Sequence, residues 1–489
     1  MAKWKPWQKH LAQVLVFALL AGVLLAYTDR VLWNKSGTIL GFYEEPKNSM
    51  DVLYLGGSHS NAAISPTQIY QEHGYTGYVL YSWSQPIWTS YHYLKEGLKR
   101  QKPKVVVLDS FGLVYGHTYI SDVDVNNVSN EWSLLIPPSL NRMQLAMAMS
   151  RCQTDHRPFY RYASLLEYHN RWKVVTKEDL LWPFQSYATT GKGYGPIYTQ
   201  EAFPQVIPPE HPVPGGMEPQ CLEYLQKFID LSKKEGFQLV LLTLPYVAQP
   251  QEFEIYQQAY ELCRENGVAV LDYFDPATAA QAGFDWETDL AEHAHVNHRG
   301  AAKLTKHLGR WLAEQFQLPD HRGDPAYAQW EKDAAIETRN AQDMDLRLTG
   351  EPGPLLQKVM APEYRAVVMT QGDLLAADVQ SLRQAYQQVG LDSSVLDAAD
   401  QCGLAVLENG KVQEQQTGPV GEMLQTQQAG EGWQLNAHTD GEQASVLLNG
   451  QEVWKGRPGV TVVVLDASSG ELVLSVTFDV REDYAHFTD

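Results

Sequence analysis

The chain has 489 residues, of which 44% are hydrophobic and 20% charged. That balance describes a globular protein of roughly two to four domains and excludes a disordered one. A formal net charge of −20 argues against nucleic acid as a partner, because phosphates call for a basic surface. The cysteines Cys152, Cys221, Cys263 and Cys402 form no CxxC pair, so neither a zinc signature nor a disulfide framework is expected.

The N-terminus is basic, with Lys3, Lys5 and Lys9, and Leu11–Tyr27 follows with Gln13 as its one polar residue. As a helix this stretch is about 25 Å long, close to the thickness of bilayer hydrocarbon. Lysines ahead of it place residues 1–10 in the cytoplasm, residues 11–27 across the membrane and the bulk of the chain outside. The expectation is a single-pass cell-membrane protein. A cleaved signal peptide is the alternative, although Leu24 at position −3 of the best cut fits that poorly.

The first globular stretch opens with DVLYLGGSHSNAAISP, Asp51–Pro66. The apolar run Val52–Leu55 reads as a buried strand. It breaks at Gly56 and Gly57, and a helical pattern starts near Ser65. Such a turn presents Ser58 at the C-terminal edge of a parallel sheet, where open α/β sheets bind ligands. Ser58 is therefore the candidate nucleophile, with His59 beside it as a secondary candidate.

Helices and strands then alternate. Helices are predicted over 66–73, 87–100, 218–235, 252–266 and 299–316. Strands are predicted over 78–81, 104–109, 238–245 and 268–273. This rhythm implies βαβ units and a three-layer αβα domain over 35–318, with a parallel sheet of about five strands. Residues 125–215 break the rhythm and read as an insertion over the sheet's C-terminal edge, in the position of a lid or substrate wall. Its aromatics Tyr160, Tyr162, Tyr168, Trp172 and Trp182 could stack on sugars or pack a small core of their own.

Just before the last helix stands EHAHVNHRG, containing Glu292, His293, His295, Asn297, His298 and Gly300. A serine hydroxyl is a weak nucleophile at neutral pH. It needs a base, and the base needs an acid to hold its tautomer. Glu292, three residues ahead of His295, can supply both from one turn. Metal binding by His293, His295 and His298 is the competing reading. Asn297 is a secondary candidate.

GGSHS after the first strand and EHAHVNHRG before the last helix resemble the first and last blocks of the SGNH (GDSL-like) hydrolases, in particular the membrane-anchored branch of DltD and the alginate O-acetyltransferases AlgJ and AlgX. The resemblance implies Ser58 as nucleophile, His295 as base and Glu292 in place of the usual aspartate. No cofactor or metal is implied. The family's second block supplies a glycine N–H to the oxyanion hole, whereas Tyr81–Pro86 has no glycine, so Ser58, Ser84 and Gln85 are the oxyanion candidates. The third-block Gly-x-Asn-Asp is absent; Asp109 ends the third strand in its place and is a secondary candidate, an aspartate at that position being more often a strand-end cap than a catalytic acid. The implied activity is serine O-acyl transfer or ester hydrolysis on a cell-surface glycan, with transfer favoured. The acyl donor would be supplied by a membrane-bound O-acyltransferase partner. A non-catalytic glycan-binding or assembly protein of the same fold is the alternative.

Residues 319–353 read as a polar, helix-prone linker. From 354 to 489 the pattern is that of a smaller, strand-richer α/β domain with Asn-Gly hairpin turns at Asn409-Gly410 and Asn449-Gly450. Its last part weakly resembles the interleukin-like EMT inducer (PANDER-like) domain. That resemblance implies glycan binding; a structural or dimerising role is the other expectation.

Overall fold

Apolar runs too uniform for one-sided burial become the strands of a central sheet. In the computed structural model, which describes residues 5–32, 38–114, 136–151, 165, 169–211, 213–371, 379–397, 400–456, 459–479 and 484–487, the chain divides into two compact units, Met1–Glu337 and Thr338–Asp489. The first unit holds β1 (Val52–Gly56), β2 (Gly77–Tyr81), β3 (Val105–Asp109), β4 (Gln238–Thr243) and β5 (Ala269–Asp272). They form one five-stranded sheet in the order β2-β1-β3-β4-β5, and each neighbouring pair is parallel. Every residue of β1, β2 and β3 is buried, as a sheet covered on both faces by crossover helices requires.

The helices Pro66–His73, Ile87–Gly97, Pro219–Glu235, Glu252–Glu265 and His298–Gln315 follow the predicted ones to within a few residues. Their ends have local causes. Ser65 caps Pro66–His73 by accepting the Gln68 N–H, and Gly74 closes it in the left-handed region. The helix Ser58–Ala63, directly after the glycine pair, was not expected. It turns the chain sharply away from β1, so that this strand ends at a helix rather than at a loop.

Gly56 makes this turn possible. A Cβ there would stand 2.1 Å from Ser60 Oγ and 2.7 Å from Asp109 Cβ, so only glycine allows the new helix to pack against the end of β3.

Part of the segment read as an insertion lies outside the described residues, including Tyr160, Tyr162 and Tyr168. The glycine-rich loop near its end is a strap. Lys192 O accepts the Val79 N–H at 3.0 Å, beside β2. Asn61, in the helix after β1, donates its amide to Gly193 O at 2.8 Å and accepts the Gly195 N–H at 3.0 Å. Gly193 has φ +90°, and a Cβ there would stand 2.2 Å from Val79 O. Lys192 is 3% exposed, and its ammonium is held by Glu45 at 2.7 Å and Asp333 at 2.6 Å. A buried cation of this kind is tolerable because both partners reach it.

The predicted linker is structured. Residues 328–347 form one helix, and Trp330 and Ala334 belong to the core of the first unit. The second unit carries helices Pro352–Lys358 and Val379–Val389 and strands β8 (Tyr364–Gln371), β9 (Gln401–Glu408), β10 (Lys411–Pro419), β11 (Leu424–Gly430), β12 (Trp433–Thr439), β13 (Ala444–Leu448), β14 (Gln451–Lys455), β15 (Gly459–Asp466), β16 (Leu472–Asp479) and β17 (Tyr484–Phe487). These make a six-stranded sheet, β10-β9-β8-β15-β16-β17, and a four-stranded sheet, β11-β12-β13-β14. The Asn-Gly turns do close hairpins, with Asn409 and Gly410 both at positive φ and likewise Asn449 and Gly450. Strands β10 and β11 escaped the sequence reading because they are glutamine-rich and largely unburied.

Gly56→Ala is expected to cost about 1–3 kcal/mol through overpacking against Ser60 and Asp109. Chemical denaturation of variant and wild type should show a lower midpoint with an unchanged denaturant slope.

Candidate active site

Two chain segments meet at the C-terminal edge of the sheet. The first is the start of the helix Ser58–Ala63, where Gly57 is the extended N-cap and Ser58 the first helical residue. The second is a two-stranded hairpin, β6 (Leu290–Glu292) with β7 (His295–Val296), in which Glu292 pairs with His295 across the turn. Cross-strand partners stand close enough for their side chains to touch, and the spacing of three residues is here a hairpin rather than a helical turn.

The contacts form a chain. Ser58 Oγ lies 2.6 Å from His295 Nε2. His295 Nδ1 bonds to one carboxylate oxygen of Glu292. The other oxygen accepts the Ala294 N–H at 2.8 Å and faces His293 Nδ1 at 2.9 Å. Burial acts to raise the Glu292 pKa, but the Ala294 N–H and the two histidines outweigh it and hold the carboxyl below its ordinary value. An ionised Glu292 fixes His295 with its proton on Nδ1, leaving Nε2 as acceptor for the serine hydroxyl. The side chain of His295 is 19% exposed, so the relay is open to a reactant.

Asn297 holds the hairpin to the last helix. It is the N-cap of His298–Gln315, accepting the Arg299 and Gly300 N–H groups at 3.0 and 3.1 Å. Its amide donates to Thr288 O at 2.8 Å and Leu290 O at 3.2 Å. It touches neither Ser58 nor His295 in these contacts, and its place is that of a positioning residue.

His59 is turned inward. Its ring stacks on Phe111 with centroids 3.7 Å apart and meets Tyr246 and His295 edge-on at 5.0 and 5.3 Å. Burial, reinforced by His295 and His293, holds its pKa well below the ordinary value, so it is a neutral wall behind the base. Phe111 and Tyr246 were not singled out in the sequence. The available signal was their place just after strands β3 and β4, at the edge where a site forms.

Asp109 is apart from the relay. It accepts the Ser60 hydroxyl at 3.0 Å and the Phe111 N–H at 3.0 Å, capping the turn that follows β3. Ser84 and Gln85 follow β2, and the Gln85 peptide approaches the turn at Gly57. Ser84 has φ +51°, a left-handed conformation that is costly for a non-glycine residue. A Cβ on Gly57 would stand 3.3 Å from the Gln85 backbone nitrogen, which shows how closely that peptide approaches the turn. The Gln85 side chain is engaged elsewhere, with Ser82 at 2.9 Å and Ser90 at 2.9 Å.

The strap returns here. Ile197 O accepts the His298 N–H at 2.8 Å, and the Glu201 N–H donates to Leu290 O at 3.0 Å. One loop thus bonds to the helix carrying Ser58 and to the hairpin carrying His295. Among the described residues no group of three His, Cys, Asp or Glu side chains converges as metal ligands would; His293 and His295 both turn to Glu292. Cys221, Cys263 and Cys402 are buried, and Cys152 lies outside the described residues.

No family model and no curated protein sequence matches the chain. Comparison with solved structures finds similarity to a crystal structure of a candidate acylhydrolase from Bacteroides fragilis NCTC 9343, at 12% identity, spanning 58% of this chain and 97% of that one with a TM-score of 0.29. At so low a score the functional reading rests on the geometry above.

Two outcomes are expected. Burial pushes the Asp109 carboxyl from 3.8 up to about 6. Between those values the unfolded chain has released a proton that the folded chain retains. Rising pH therefore lowers stability across that window, by about 3 kcal/mol in all. Asp109→Asn should remove this fall, so that denaturation midpoints of variant and wild type diverge from pH 4 to pH 7 in favour of the variant. Asn297→Ala should destabilise by about 1–2 kcal/mol through the lost cap, measured by the same titration at fixed pH.

Proposed function

We propose that the protein is a serine acyl-transfer enzyme of the SGNH type, anchored in the membrane by its N-terminal helix and acting outside the cell on acyl esters of a glycan. The observation that carries this reading is the continuous relay Ser58 Oγ, His295 Nε2 and Nδ1, Glu292. A hydroxyl 2.6 Å from an imidazole nitrogen is placed to lose its proton as it attacks a carbonyl.

In the first half-reaction Ser58 Oγ bonds to the acyl carbon and His295 Nε2 takes the hydroxyl proton. Glu292 stabilises the imidazolium so formed. The carbonyl oxygen becomes an oxyanion, for which the Ser58 backbone N–H and that of Ser84 or Gln85 are the donors. Collapse expels the donor alcohol, which receives the proton from His295 and leaves an ester on Ser58. In the second half-reaction an incoming hydroxyl gives its proton to His295 and takes the acyl group, and His295 returns that proton to the departing Ser58 Oγ. A sugar hydroxyl makes the enzyme a transferase and water makes it an esterase. Transfer is favoured because an anchored enzyme acts where a membrane partner, such as a membrane-bound O-acyltransferase, can deliver the donor. The anchor reading is supported by the helix Pro6–Leu32, which is long and apolar enough to cross a bilayer and has no buried residues in its apolar window.

A fluorophosphonate probe, which reports an activated serine, should label the full-length wild type. Ser58→Ala and His295→Ala should abolish labelling. Glu292→Gln should slow it by about 100- to 10,000-fold, because glutamine keeps the shape and loses the charge that selects the tautomer. Silence from folded wild type would overturn the enzymatic reading and favour a glycan-binding or assembly role, tested next by glycan binding.

A further inference from the structure

Exposed apolar side chains concentrate beside the end of the N-terminal helix. Trp172 is 66% exposed, Val174 65%, Leu180 46%, Leu181 49% and Phe184 78%. They belong to a short run comprising the 3-10 turn His169–Val174, the helix Lys177–Leu181 and the turn Trp182–Phe184. For a surface in water this is a costly concentration.

The run is tied to the N-terminal helix. Tyr27 Oη donates to Leu180 O at 3.0 Å, and the Tyr27 and Phe184 rings lie 6.0 Å apart. Arg171 donates to Leu32 O at 3.1 Å. Inside the run, Thr176 and Asp179 form a capping box, and Arg171 reaches Asp179 at 3.5 Å. These bonds hold the run together while its large apolar side chains stay exposed.

We infer that residues 169–184 form a foot that rests in the headgroup region of the bilayer beside the membrane-spanning helix. The inference rests on the anchor reading of that helix. If Leu11–Tyr27 crosses the hydrocarbon, Tyr27 marks its outer boundary, and the side chains bonded or stacked to Tyr27 stand at the same depth. That depth favours aromatic rings and amphipathic short helices. Trp172 and Phe184 are such rings. Lys173 and Lys177 are exposed on the same run, suited to anionic headgroups in a chain of net charge −20. The occupant is therefore a lipid surface. Continuity with the spanning helix distinguishes it from a protein partner, which would have no reason to coincide with Tyr27. The consequence for the proposed reaction is a catalytic unit held at a set height above the membrane.

The test uses the full chain in vesicles of neutral and anionic phospholipid, with a nitroxide attached at one site at a time through Phe184→Cys, Leu181→Cys, Leu20→Cys and Lys234→Cys. Collision with oxygen, which concentrates in lipid, is compared with collision with a water-soluble nickel chelate. The expected result is a ratio of oxygen to nickel accessibility at Phe184 and Leu181 at least threefold above that at Lys234, with Leu20 higher still. If Leu20 is lipid-exposed and Phe184 and Leu181 match Lys234, the helix spans and the foot is in water, which overturns the inference alone. If Leu20 also matches Lys234, the anchor reading fails and the inference falls with it. A Phe184→Cys chain that fails to fold leaves Leu181→Cys to decide between these results.

Discussion

Burial of β1 on both faces is the constraint from which the rest of the first unit follows. All five of its residues are buried, and its neighbours β2 and β3 pair with it in parallel. A parallel strand cannot return by a tight turn; each connection must cross over the sheet and cover it. Helices therefore lie on both faces, and polar chemistry is pushed to the strand ends. The C-terminal end of β1 is where the chain leaves the core abruptly. The small volume of Gly56 lets it do so while Ser60 and Asp109 close the space behind it. Ser58 reaches the surface as a result of that exit.

The second half of the site is built by other means. Glu292 and His295 sit on a hairpin too short to be stable alone, and the fold holds it from three sides. Asn297 joins it to the helix His298–Gln315, the His293 carbonyl accepts the Val247 N–H at 2.8 Å from the loop after β4, and Leu290 accepts from the strap. The strap is fixed by Lys192 between two carboxylates, so the geometry of the relay depends on an ion cluster at some remove from it in sequence. A site on rigid supports of this kind keeps its contacts without a bound reactant.

Acidic character also differs by place. Glu292, partly buried but bonded by an N–H and two imidazoles, is held ionised. Asp109, buried and bonded by Ser60 and the Phe111 N–H, is pushed toward neutrality. Two carboxylates of the same edge thus have opposite tendencies because of what faces them. That difference accompanies their contacts: Glu292 faces His295, and Asp109 caps the turn after β3.

Much of this was legible in the residues. Period, composition and the Gly-Gly-Ser break are local properties, and they are enough for five buried strands, the helices between them, an apolar N-terminal helix and the residue types of a serine relay. The spacing of Glu292 and His295 already put acid and base in one turn. What local pattern could not hold is anything decided by a distant surface. The helix at Ser58–Ala63 is too short to show a period, and it exists because β3 and the strap receive it. Strands β10 and β11 carry glutamines rather than apolar residues, and they are strands because neighbouring edges pair with them. Asn297, His59 and Asp109 were all plausible as chemistry from their types alone. Their partners, set by packing across the sheet's edge, make the first a positioning cap, the second a neutral wall and the third the strand-end cap that its place already favoured. The hydrogen bond from Ser58 to His295 spans 237 positions of sequence. No local propensity can specify such a contact; it forms because the parallel sheet delivers both ends of the domain to the same edge.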